Sequence, residues 1–169
     1  MLKKIVLAAI CISLFVLYFP EITHSYDDAM DELFEQIINE FPNLEAIKNR
    51  FGDGAKWQES TIPSPHDDTL ELQIKNMEYS GVEINTLSYV YDDEESFFIT
   101  LLNVKKAGIV KFLGLDVGSA RDDVIKTFGE PQIIEGNELI YHDEDEFNFI
   151  KFVIENNEVT EMRFIRYLD

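Results

Sequence analysis

Cysteine is almost missing from this chain. Cys11 is the single one in 169 residues, which excludes an intramolecular disulfide framework and any multi-cysteine zinc or iron–sulfur site. Positive charge is scarce too. Lys and Arg number 14 against 33 Asp and Glu, a formal net charge of -19, so nucleic acid and direct anionic-membrane binding are not expected. Of three histidines only His66 and His142 lie beyond the first stretch of the chain. His66 stands between Ser64 and Asp67, in a Pro-rich segment without the strand-to-helix turn that presents a nucleophile. No enzymatic activity and no cofactor are therefore expected.

What is abundant is apolar and acidic. A hydrophobic fraction of 46% with 12% aromatics is that of a packed globular chain, not of a disordered acidic tail. The start of the chain reads as an address. Lys3-Lys4 precede an uncharged apolar run of 15 residues, Ile5 to Phe19, and Thr23-His24-Ser25 follow Pro20 with small residues at both ends. That is the layout of a secretory signal, with cleavage expected between Ser25 and Tyr26. The expected location is extracytoplasmic, periplasmic or secreted. An uncleaved anchor formed by residues 5–19 is the alternative, although the run falls short of the ~20 residues that cross a bilayer. Leu7-Ala8-Ala9-Ile10 before Cys11 resembles a lipobox except at Ile10, so Cys11 is expected to leave with the signal.

Beyond it, Met30, Phe34, Ile37, Ile38 and Phe41 recur at three- and four-residue steps, which predicts a helix from Asp27 that Pro42 breaks. Leu44, Ile47 and Phe51 continue the stripe on a second piece that Gly52 stops. Asp53 to Asp68 reads as a loop, with Trp57 plugging the edge of the core. Strands are expected over 70–75, 82–91 and 97–104, with Asp92-Asp93-Glu94-Glu95 as an acidic turn. Ser119 is expected to cap a short helix with inner face Ala120, Val124 and Phe128, ending at Gly129. Strands over 138–142, 146–154 and 158–168 follow, the last two joined by an Asn156-Asn157 hairpin.

The expected class is α+β, with helices packed on one face of antiparallel sheet. Residues 1–25 form the signal, 26–110 an amino-terminal helix-plus-strands half and 111–169 an α-β-β-β half. Glu45 to Gly52 resembles Asp123 to Gly129, which points to two tandem α-β-β-β repeats.

Val117-Gly118-Ser119, Val124, Phe128-Gly129-Glu130-Pro131, Tyr141, Phe152 and Val159 together resemble the SmpA/OmlA (BamE-like) domains, within the wider β-lactamase-inhibitor-protein-like fold group. The resemblance covers about a third of the chain. It implies an envelope module that binds or assembles proteins. The sequence departs from the outer-membrane assembly lipoproteins in its lipobox and its long amino-terminal half.

Two further features bear on function. The strand tyrosines Tyr79, Tyr89, Tyr91, Tyr141 and Tyr167 are candidates to line a binding face, with Tyr89, Tyr91 and Tyr141 named as partner-contacting residues. The acidic clusters Asp92–Glu95 and His142–Glu146 lack the alternating loop geometry of a calcium site; His142, Asp143 and Asp145 are the ligands if a cation binds. The expected function is an exported, non-enzymatic protein-binding or assembly module of the cell envelope, whose partner is another envelope or secreted protein with a basic surface. A calcium-dependent binder and a purely structural envelope protein are the alternatives.

Overall fold

In the computed structural model, residues 26–169 are described apart from Gly54, Asp68 and Asp169. The signal, its Ser25 cleavage position and Cys11 lie outside the described residues. Among the described residues no helix is long and apolar enough to cross a membrane.

The chain runs α1 (Tyr26–Glu40), α2 (Leu44–Phe51), β1 (Lys56–Pro63), β2 (Glu71–Tyr79), β3 (Val82–Tyr91), β4 (Glu94–Val104), α3 (Arg121–Phe128), β5 (Ile133–Glu135), β6 (Glu138–His142), β7 (Asn148–Glu155) and β8 (Glu158–Arg166). The strands form one eight-stranded sheet in the order β1-β2-β3-β4-β8-β7-β6-β5, antiparallel throughout. It is two up-and-down meanders joined where the last strand of each, β4 and β8, pair. That seam is short, running only from Leu101↔Ile165 to Val104↔Met162.

The local rules explain most boundaries. Pro42 separates α1 from α2, and Asn43 caps α2 by accepting a 2.9 Å hydrogen bond from Ala46 N at its side-chain oxygen. Asp92 and Asp93 sit at φ 51° and 64°, and Asn156 and Asn157 at 51° and 67°, the paired left-handed geometry that a two-residue hairpin needs.

Four expectations fail. Residues 56–63 form a strand, not a loop, and every residue of it is exposed. An edge strand wet on both sides has no apolar alternation to betray it. Trp57 does not plug the core: it is 49% exposed, with the Lys48 and Lys75 ammoniums 5.3 and 5.9 Å from its ring centre. Ser119 does not cap α3. Its hydroxyl accepts from Asp116 N, its carbonyl accepts from Val159 N, and Ala120 takes the cap position with no side-chain bond. The helix start is held by backbone instead, with Arg121 N donating to Asn157 O and Gly118 N to Val159 O. Each half also carries four strands where three were expected.

Burial alternates along the strands. In β3 buried and half-buried residues take turns from Val82 to Leu87, and β7 and β8 do the same over most of their length. One side of the sheet is therefore sealed and the other half-exposed. The register places Tyr141, Ile150, Phe164, Leu102, Ile84 and Met77 in one row on the sealed side. The ring contacts from the helices fall there. Phe34 of α1 lies 6.2 Å from Phe164, Phe51 of α2 5.0 Å from Tyr79, and Phe128 of α3 5.3 Å from Tyr141 and 5.4 Å from Phe152. The β4–α3 connection contributes Val110, Phe112 and Leu115 to the same core cluster. Gln36 and Arg50 tie the helices to it by donating to the carbonyls of Lys111 and Ile109, both at 2.6 Å.

Candidate functional site

The half-exposed side carries the candidate site. Because Ile84 and Thr86 face the core, Leu87, Tyr89 and Tyr91 face the other way. The register sets Leu87 between Ile74 and Phe98, Tyr89 across from Ser96, and Tyr91 across from Glu94. Tyr89 stacks on Phe98 at 6.0 Å between ring centres and an angle of 28°. Ser64, Pro65, His66, Asp67 and Leu70 of the β1–β2 loop stand beside this row, and Leu168 approaches from beyond the end of β8. Together they enclose an open groove of about 500 Å³. Its floor is Leu72, Leu87 and Phe98, its rim Tyr89 and Tyr91, and its charged lining groups are Asp67 and Glu94. Tyr91 is 59% exposed. Its volume lies within the range of ligand-sized clefts, and its lining is mostly apolar with a few polar groups.

The loop wall is built locally. The Ser64 hydroxyl accepts from His66 N, and the Asp67 carboxylate accepts from Thr69 N at 2.9 Å and from the Thr69 hydroxyl at 2.6 Å. Those two bonds, the side-chain one foremost, hold the Asp67 carboxyl below its ordinary value. Ser64 and Asp67 thus shape the loop by accepting from its own backbone and from the Thr69 hydroxyl.

Beyond the groove, β4 parts from β8. The Arg166 guanidinium occupies the opening, 4.8 Å from the Phe34 ring centre and 5.0 Å from that of Phe98. Burial pulls its pKa down from the usual arginine value, and the Asp143 charge opposes that pull.

At the centre of the same side the groups are polar. Arg163 bridges Glu161 and Glu138 across β8, β7 and β6, and Asn103 beside it is 5% exposed. Burial pushes the Glu161 carboxyl up, but the Arg163 guanidinium, the Lys105 charge and the Asn103 amide outweigh it and leave the pKa lowered.

The named residues divide. Tyr89 and Tyr91 meet at the groove. Tyr141 does not join them: it is fully buried on the sealed side, its hydroxyl donating to Gly129 O at 3.0 Å, which corrects its assignment as a partner-contacting residue. Burial of the ring raises its pKa. Tyr79 also faces the sealed side, and Tyr167 is exposed against Phe149. Asp143 closes its own turn, accepting from Phe147 N and Asn148 N at one carboxylate oxygen and from the Asn148 amide at the other. His142 points Nδ1 at Asp143 O at 2.8 Å. Among the described residues no three His, Cys, Asp or Glu side chains converge as a metal group. Leu72, Phe98 and the loop wall were not anticipated, because their convergence depends on strand register rather than on spacing along the chain.

No protein-family model, no curated protein and no solved structure matches the chain.

Proposed function

We propose that the protein is an exported, non-enzymatic module of the cell envelope that binds another protein through the half-exposed side of its sheet, the partner presenting a basic surface. The observation that carries this reading is the groove itself: apolar floor, tyrosine rim, and two carboxylates with His66 but no Lys or Arg among its lining residues. Tyrosine offers broad contact area at low entropic cost, which suits it to interfaces. The net charge of -19 favours a cationic partner through long-range attraction.

The amino-terminal sequence supports export, and the likeness to BamE-like domains supports an assembly or binding role. We propose also that all helices belong to one layer and that the halves are diverged tandem copies. Each half opens with helix and closes with a four-stranded meander, which favours that view.

The test is capture from envelope extracts by the immobilised full-length chain at low and high salt. Salt-sensitive capture of a basic protein is the expected result. Capture that ignores salt, or none at all, overturns the reading.

A further inference from the structure

Among the described residues ten large apolar side chains are exposed, and six of them share one end of the sheet. Ile62, Val90, Tyr91, Phe147, Tyr167 and Leu168 all stand at one end of the sheet, where β1 runs out, β3 turns into β4, β6 turns into β7 and β8 finishes. The same end gathers the acidic runs. Asp92 to Glu95 form the β3–β4 tip, Asp143 to Glu146 fill the β6–β7 loop, and Asp67 stands on the β1–β2 loop. These clusters are far apart in sequence, and the antiparallel order β4-β8-β7-β6 brings them to one rim. Arg166, the cation lodged nearby, is occupied between two rings. The other end holds the tight turns at Gly81 and Asn156-Asn157, with Lys106 packed against Gly81.

We infer that the groove between the loop at 64–70 and the β3–β4 hairpin receives a segment of another polypeptide in which a large apolar side chain is flanked by Lys or Arg. This rests on the protein-binding reading above and gives it a site. Chemistry selects the occupant. An inorganic cation alone leaves the floor of Leu72, Leu87 and Phe98 unfilled. A second copy of the chain brings a like charge of -19 against the rim. An anionic lipid headgroup meets carboxylates. A basic segment with an apolar anchor satisfies both halves of the surface: the anchor displaces water from the floor, and flanking cations face Asp67, Asp92, Glu94 and Glu95. Because Asp92, Glu94 and Glu95 are exposed, they act through attraction at a distance and weaken as salt rises.

The experiment is a fluorescence-anisotropy titration of the full-length chain with three labelled peptides. One carries lysines around a central Trp-Leu pair, the second the same lysines around Ser-Ser, and the third glutamates around Trp-Leu. The first should bind at least about tenfold more tightly than the second, and the third should not bind. Tyr91→Ala should lower affinity for the first about tenfold at unchanged urea midpoint, the side chain being mostly exposed. Asp92→Asn with Glu94→Gln and Glu95→Gln should flatten its salt dependence. Trp57→Ala, on the outer edge strand, should leave both unchanged. Equal binding of the first two peptides, or indifference to Tyr91→Ala, overturns the groove and leaves only diffuse charge attraction. The failures remain separable. Salt-sensitive envelope capture that survives Tyr91→Ala keeps the binding role and removes this site, whereas peptide binding at the groove without envelope capture removes the role.

Discussion

Emptying the site of Phe128 tests how α3 is held on the sheet. The ring is fully buried, and its centre lies 5.3 Å from Tyr141 and 5.4 Å from Phe152, which meet edge to face at 6.1 Å. Phe128→Ala removes one member of this three-ring group. Large-to-small changes of a buried aromatic cost about 3–5 kcal/mol, more where the surroundings cannot close the gap. Here closure is restrained at both ends of the helix. Backbone bonds from Gly118 to Val159 and from Arg121 to Asn157 pin its start, and the Tyr141 hydroxyl holds Gly129 O at its end. The upper half of the range, about 4–5 kcal/mol, is therefore expected. With a urea slope of about 2 kcal/mol/M, the midpoint should fall by at least about 2 M. Far-UV circular dichroism is the suitable readout, since Trp57 is an exposed reporter on the opposite edge. Lys126→Ala, an exposed position on the same helix, should cost less than about 0.5 kcal/mol. A loss at Phe128 below about 1 kcal/mol, or one equal to that at Lys126, would refute the pinned-helix argument.

Three other outcomes are expected. Gly81→Ala should lower stability by at least about 1 kcal/mol, because the residue has φ 90° and a Cβ there would come 2.5 Å from Lys106 Cβ; a thermal melt as high as wild type would contradict this. Glu161 has a lowered pKa in the folded chain, so its contribution is present above the ordinary carboxylate range and lost as pH falls through the folded value. Glu161→Gln should accordingly shrink the drop in urea midpoint between about pH 6 and pH 3, and an unchanged drop would remove the Arg163 pairing as its cause. Intact-mass analysis of the protein from its native host should show a chain beginning at Tyr26; a species retaining residues 5–19 would favour an anchor.

Legibility in the sequence followed burial. The helix pair broken at Pro42, the strand from Val82 to Tyr91, the strand from Glu138 to His142 and the Asn156-Asn157 turn are all readable, because each has one face in the core or demands left-handed backbone. The edge strands β1 and β5 escaped notice, being exposed along their whole length and so free of any periodic constraint. Tyr89 and Tyr91 could be named as candidates but not separated from Tyr141, since a one-residue change of register exchanges the two sides of a sheet. The groove was invisible for a related reason. Its wall, floor and rim come from the β1–β2 loop, three strands and the carboxy-terminal residues, and only tertiary pairing sets them side by side.

The short seam between β4 and β8 has a consequence for solubility. A sheet of eight strands has two outer edges, but here β4 pairs with β8 only from Leu101 to Val104, so the stretch from Glu94 to Ile99 is paired on its β3 side alone. That makes a third rim without a strand partner, in the interior of the sheet, of the kind that invites pairing by another strand. Proteins discourage such pairing by placing charge where an intruder would have to lie. Arg166, wedged between Phe34 and Phe98 in that opening, and Glu94 and Glu95 at its mouth stand in those positions. The same parting carries the hazard of an extra sheet edge, and one guanidinium with two carboxylates stands where an intruding strand would have to lie.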